Sequence, residues 1–177
     1  MADGGQMPCD LFSNLVQIGV VVRDLDKTVD SLATMLGVGP FRTIAFPPDD
    51  RPDIQRSRKY RGREGGFKAR IAFTSLGPLE LEIIQPLEGE SVWSEFLENH
   101  GEGLHHIRFN VEDMGPVITH MVGLGVSPSQ EGGGLRPGTS FAYFDTESKV
   151  GFTIEVLKAV AGTDGRTPDI VDGRVVV

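Results

Sequence analysis

The sequence predicts an α+β fold in which two βαβββ modules form one curved mixed sheet around a metal-containing cleft. Three observations carry that expectation. First, Gln17-Ile18-Gly19-Val20-Val21-Val22-Arg23-Asp24 is echoed by His106-Ile107-Arg108-Phe109-Asn110-Val111-Glu112-Asp113, with a metal-capable side chain opening each copy. Second, each aspartate leads into a helical stretch that ends on glycine: Leu25 to Leu36 then Gly37, and Met114 to Leu124 then Gly125. An Asp cap at the start and a Gly stop at the end are the expected helix punctuation. Third, both copies close on a β-prone apolar run broken by a carboxylate, Leu79-Glu80-Leu81-Glu82-Ile83-Ile84 and Phe152-Thr153-Ile154-Glu155-Val156-Leu157. A repeat of this size means two units that each hide part of their apolar surface and complete one another by pairing.

In chain order, residues 1–13 read as an N-terminal tail. Module one, 14–90, has strands near Val16 to Val22, Arg42 to Phe46, Lys68 to Ser75 and Glu80 to Gln85. Between the second and third strands lies a loop insertion, 47–66, rich in Pro, Asp and Gly and too polar for core. Residues 91–103 form a connecting helix and linker, with Ser91 as its cap and Gly101-Glu102-Gly103 as its end. Module two, 104–158, has strands near His105 to Val111, Val126 to Gln130, Phe141 to Asp145 and Gly151 to Leu157. Gly132-Gly133-Gly134 and Arg136-Pro137-Gly138 are expected in its turns. The tail 159–177, apolar again at Ile170, Val171 and Val175 to Val177, is expected to fray or to meet a partner.

Composition narrows the classes of function. With 177 residues and 39% apolar content the chain can bury a core. No apolar run of about 18 residues occurs and no secretion signal opens the chain, so a cytoplasmic protein away from membranes is expected. The single Cys9 excludes an internal disulfide framework or thiolate cluster. A net charge of -8 disfavours nucleic acid. Of the 17 basic residues, eight fall between Arg51 and Arg70, where an anionic group could dock or where the charges merely face solvent.

Gln17, Glu82, His106 and Glu155 are the polar residues that interrupt apolar strands, and burying them unpartnered costs several kcal/mol each. A cation would offset that cost. Strand alternation puts Gln17, Gly19 and Val21 on one face and His106, Arg108 and Asn110 on the corresponding face, with the purely apolar opposite faces packed under the helices. The four donors suit a divalent ion such as Co, Mn, Ni, Zn or Mg. By the same alternation His105 points away from His106 and is expected to be packed or to support it. His100 and His120 receive no role. Arg108, Arg70, Tyr143 and Phe141 are the candidates for contact with a substrate.

The strings Gln17-Ile18-Gly19-Val20-Val21-Val22-Arg23-Asp24-Leu25, Leu81-Glu82-Ile83-Ile84-Gln85-Pro86 and Gly103-Leu104-His105-His106-Ile107, with Glu155 downstream, resemble the vicinal oxygen chelate superfamily, in particular its methylmalonyl-CoA epimerase and glyoxalase I branches. The resemblance spans about Asn14 to Lys158. It implies metal ligation by Gln17, Glu82, His106 and Glu155, with an enediolate or enolate intermediate. Epimerase relatives usually open with His where this chain has Gln17, whereas a Gln, Glu, His, Glu set is more like that of some glyoxalase I enzymes. A two-histidine, one-carboxylate ferrous site of the dioxygenase kind is disfavoured.

The expected function is therefore a metal-dependent epimerase or racemase removing a proton α to a carbonyl or thioester, on a methylmalonyl-CoA-like substrate or a bulkier aromatic ketone such as a dihydroisoflavone. Glu155 and Glu82 are the catalytic candidates. A second acid–base group is implied near Lys68 to Ser75, where no carboxylate occurs; Glu64 and Glu80 are the nearest substitutes. The alternatives are a glyoxalase I-like lactoylglutathione lyase and a non-catalytic binding protein of the same fold. The expected partners are a small carbonyl or acyl-thioester molecule and a second copy of the chain in a homodimer.

Overall fold

The computed structural model describes residues 11–160, 163 and 166–176. In chain order its elements are β1 (Leu15–Val21), α1 (Leu25–Leu36), β2 (Arg42–Phe46), α2 (Pro52–Ser57), β3 (Lys59–Tyr60), β4 (Arg63–Glu64), β5 (Lys68–Leu76), β6 (Leu79–Glu88), α3 (Val92–Asn99), β7 (Gly103–Val111), α4 (Met114–Gly123), β8 (Pro128–Gly133), β9 (Ser140–Phe144), α5 (Glu147–Val150), β10 (Thr153–Lys158), β11 (Asp169–Val171) and β12 (Arg174–Val176). The helix starts follow from their caps. The Asp24 carboxylate accepts from the Lys27 amide and that of Asp113 from the Gly115 amide, contacts that stabilise a helix by about 1 kcal/mol each. Gly37, at φ 66°, closes α1 in the left-handed conformation that glycine adopts without strain.

One mixed sheet runs in the order β2-β5-β6-β1-β7-β10-β9-β8-β3-β4. Its first eight positions are symmetric about the central pair. β1 lies parallel to β6, which is antiparallel to β5; β7 lies parallel to β10, which is antiparallel to β9. The two halves join through the antiparallel β1–β7 seam. The sheet curls so that one face carries Gln17, Glu82, His106 and Glu155 and the other packs under the helices, where Val22, Leu25, Ala72, Leu81 and Ile83 form a buried cluster with α1. Val117, Met121, Phe144 and Val156 do the same under α4.

The seam is irregular at two equivalent places. Leu15 pairs with Phe109 and Gln17 with Arg108, so Val16 is an extra residue; Gly19 pairs with His106 and Val20 with Leu104, so His105 is another. Each is a β-bulge just before the side chain expected to bind metal. Bulges re-aim side chains. The strict alternation that would send His105 to the far face therefore fails, and both histidines are buried side by side.

Three stretches differ from the sequence expectation. The insertion 47–66 is not a polar surface loop: α2 and the β3–β4 hairpin lie within it, Ile54 and Tyr60 enter the main core, and β3 pairs with β8. Its apolar residues are too few to show periodicity, yet each is buried. Gly132 and Gly133 are strand rather than turn. A Cβ on Gly132 would meet the Phe141 ring at 2.9 Å and one on Gly133 the Ser57 hydroxyl at 3.2 Å, so close approach explains the glycines. The tail does not fray between 166 and 176: β11 and β12 make a hairpin whose Ile170 and Val175 pack on the main core. Arg42 donates to the carbonyls of Thr167 and Pro168, and the Thr167 hydroxyl donates to Glu80. At the other end Leu11 and Phe12 pack against the second half. Cys9 lies outside the described residues.

Candidate metal centre

Two cross-strand rows build the site. Glu82, Gly19 and His106 stand side by side on β6, β1 and β7; in the next row stand Glu80, Gln17, Arg108, Glu155 and Tyr143. Across these rows the ligating atoms of Glu82, His106 and Glu155 lie within 4.8 Å of one another. His106 Nε2 is 3.2 Å from Glu82 Oε2 and 3.1 Å from Glu155 Oε2. All three atoms are buried and none has a hydrogen bond. One ring N–H cannot point at two carboxylates together, so the distances are close while the directionality of a hydrogen bond is missing.

Gly19 gives the imidazole its seat. A Cβ there would fall 1.8 Å from His106 Cε1, so the ring occupies the space that any side chain on β1 would fill. His106 Nδ1 lies 3.0 Å from His105 Nδ1. Burial, reinforced by the neighbouring His106 and His100, holds the His105 imidazole well below its ordinary range, so it is neutral. A neutral His105 can accept the Nδ1–H of His106, which makes Nε2 the nitrogen that faces Glu82 and Glu155 and, once its proton is lost, the one free to ligate.

Gln17 is fully buried, and its amide nitrogen donates to Glu80 Oε2 at 2.8 Å. With the nitrogen held there, the amide oxygen is the free end, and it has no partner. Glu80 is therefore not a spare acid–base group: it also accepts from Arg42 at 3.1 Å and from Thr167 at 2.7 Å, and Arg108 lies 3.6 Å away. Glu64 is exposed on β4. Sequence reasoning missed the part Glu80 plays because its spacing only placed it beside Glu82; the pairing partners come from β1, β2 and the C-terminal segment.

The cleft over these residues is walled by Phe46, Ile71, Phe73, Trp93, Phe141 and Leu157 and roofed by Val160, Thr163 and 166–168. Its volume is about 60 Å³. Arg108, Tyr143 and Phe141 line it. Burial raises the Tyr143 hydroxyl well above its ordinary range, and the carboxylates of Glu155 and Glu82 add to this, so it is a neutral phenol. Arg70 does not belong to the set. It makes a two-pronged ion pair with Asp26 of α1, both contacts at 2.8 Å, on the helix side of the sheet. The basic stretch 51–70 is likewise largely neutralised from within: Arg51 pairs with Asp53, Arg61 with Glu95 and Asp145, Lys68 with Glu88, while Arg58 donates to backbone carbonyls.

The donors fit a divalent cation. A buried imidazole nitrogen, two carboxylate oxygens and an amide oxygen, all unpartnered, are the polar excess that an ion would satisfy. In the ion-free protein, burial pushes the His106 imidazole down, but Glu155 and Glu82 outweigh it and lift it to about 9. Burial also raises Glu82, against the opposing pull of His106. Protons and metal thus compete for the same atoms, and both shifts make affinity fall as pH falls. Below about pH 9 the apparent affinity for Mn²⁺ is expected to rise about tenfold per pH unit. Calorimetry in two buffers of different ionisation enthalpy is expected to show about one proton released per ion at pH 7.5; binding with no proton release would contradict the assignment.

Residues 16–143 match the family model of the Glyoxalase/Bleomycin resistance protein/Dioxygenase superfamily. The chain belongs to that superfamily. Its vicinal oxygen chelate fold is shared with a hypothetical protein of Bacillus halodurans, at TM-score 0.62 and 22% identity over 85% of this chain and 96% of that one. A methylmalonyl-CoA epimerase in complex with methylmalonyl-CoA and ammonium aligns at TM-score 0.58 and 19% identity, covering 85% and 96% of the two chains. The methylmalonyl-CoA epimerase of Mycobacterium tuberculosis aligns at TM-score 0.58 and 18% identity, covering 86% and 92%. An uncharacterized Bacillus subtilis protein, YqjC, is 48% identical over 42 residues, which span 24% of this chain and 30% of that protein. Within this superfamily the oxygen-rich cleft is the place where a resident ion is expected. Among the described residues no helix is long and apolar enough to cross a membrane.

Proposed function

We propose that this chain is a metal-dependent isomerase that removes and returns a proton α to a carbonyl, as an epimerase or racemase. The observation that carries the reading is the set of unpartnered donor atoms on Glu82, His106 and Glu155, of which the two carboxylates line an apolar cleft and the imidazole lies buried between them. Gln17 is the fourth donor, its oxygen freed by Glu80. A divalent ion bound there would supply Lewis-acid polarisation of the substrate carbonyl, which acidifies the adjacent C–H.

The protein's own part is to hold and move the proton. Glu82 and Glu155 come from opposite sides of the β1–β7 seam and both line the cleft, so a planar group bound between them would have one carboxylate on either side. Removal on one face and return on the other need that arrangement. Among the described residues they are the only carboxylates lining the cleft. Phe46, Trp93 and Phe141 exclude water and press a flat substrate into place. A homodimer is part of the proposal; Met35 and Leu36 at the end of α1 are exposed apolar surface for it, and light scattering tests it.

The second reading is isomerisation of a glutathione hemithioacetal, favoured by the Gln, Glu, His, Glu donor set. The experiment is solvent deuterium exchange with Mn²⁺- or Co²⁺-loaded protein, followed by NMR. Methylmalonyl-CoA, a chiral dihydroisoflavone and methylglyoxal with glutathione are the test compounds. Exchange with inversion supports the racemase, turnover of the hemithioacetal supports the second reading, and tight binding without exchange in any of them overturns both in favour of a binding protein.

A further inference from the structure

The cleft is mostly apolar, yet Arg108, Arg136 and Arg166 all line it, in a chain whose net charge is -8. Two of these arginines have evident partners: Arg108 lies 3.6 Å from Glu80, and Arg166 donates to the Pro78 carbonyl at 2.8 Å. Arg136 differs. It sits in the turn between β8 and β9, half-buried, and its backbone carbonyl accepts from the amide and hydroxyl of Thr139, which pins the turn against the cleft. Its guanidinium has no hydrogen bond or ion pair among the described residues.

The charges of the site make that guanidinium more consequential. Glu82 and Glu155 together balance a divalent ion, and Glu80 is one carboxylate shared by Arg42 and Arg108. With the ion bound, no carboxylate of the cleft among the described residues is left for Arg136. A planar fork of donors at the cleft wall, half-buried and without a protein partner, matches a carboxylate better than any other common group.

We infer, building on the isomerase reading, that Arg136 anchors a carboxylate of the substrate, so that the enzyme acts on a small compound that carries, besides the carbonyl presented to the ion, a carboxylate and an apolar or aromatic group. The apolar group faces Phe46, Trp93 and Phe141 while the carboxylate reaches the β8–β9 turn. The cavity of about 60 Å³ sets a compact ligand. An uncharged ketone of the same shape would leave the guanidinium unpaired and bind more weakly.

Trp93 is the single tryptophan of the chain and lines the cleft, so its fluorescence reports occupancy directly. Wild type, Arg136→Gln and Arg136→Lys are titrated with phenylacetate and with phenylacetamide, its uncharged near-isostere, in the presence of Mn²⁺ and again in a chelator. The expected result is phenylacetate binding weakened about tenfold or more in Arg136→Gln, partly restored in Arg136→Lys, and phenylacetamide binding unchanged. Equal phenylacetate affinity in wild type and Arg136→Gln would overturn the inference, as would equal affinity of wild type for the acid and the amide. Mn²⁺ binding is measured separately. Should Mn²⁺ fail to bind while the Arg136 dependence persists in chelator, the metal reading falls and the anchor stands; the reverse pattern leaves the metal reading intact.

Discussion

Glu82→Leu is expected to lower Mn²⁺ affinity on the order of 100-fold or more while leaving the metal-free protein at least as heat-stable as wild type. The two halves of this result have separate causes. Metal affinity falls because a charged ligand is lost; even groups that only support ligands change affinity about 10- to 100-fold. Stability holds because burial raises Glu82 above the ordinary carboxylate range, which means that its charged form is disfavoured in the ion-free fold. Leucine has a similar volume, and the cost of breaking a buried pair arises from leaving the other charge uncompensated. Glu155 still faces His106 in the variant. Metal titration and thermal melts in chelator check both halves. A large drop in metal-free melting temperature would mean that Glu82 holds the fold together rather than an ion.

The second large effect is expected from one methyl group. Gly19→Ala places a carbon 1.8 Å from His106 Cε1 and 2.3 Å from each ring nitrogen, so the imidazole must leave its seat. Overpacking of this kind destabilises by about 1–3 kcal/mol, and Mn²⁺ binding is expected to vanish with it. The cause is separable from general damage. In Gly19→Ala combined with His106→Ala the clash is gone, so stability is expected to recover while metal binding does not, and the two changes are strongly non-additive. Normal Mn²⁺ affinity in the single variant would remove His106 from the candidate ligands.

The duplicated fold was legible in the sequence because its signals are local. Asp24 and Asp113 cap helices, Gly37 and Gly125 end them, and apolar runs alternate in register. The co-location of Glu82, His106 and Glu155 was legible for a related reason: a repeat places equivalent residues about one axis. The bulge at His105 was not, since an extra residue in one strand becomes visible only against its partner across the seam. Arg70 was misplaced because strand alternation does not reveal which helix lies beneath, and here Asp26 of α1 claims it. The docking of Ile170 and Val175, the strand role of Gly132 and Gly133 and the burial of Ile54 and Tyr60 all arise from contacts distant in sequence. Arg136 read as turn punctuation beside Pro137 and Gly138, with no local sign that its turn borders the cleft.

The β1–β7 seam divides the donors evenly: Gln17 and Glu82 lie on one side, His106 and Glu155 on the other. Severing the chain in the stretch between β6 and α3 would turn this boundary into an intermolecular contact, with half of a chelator on each polypeptide. Cation capture would then depend on how concentrated the two fragments are, because the covalent tether that now supplies their effective concentration is gone. Ion uptake by the mixed halves, and by neither alone, would make the protein a split sensor of its own reassembly.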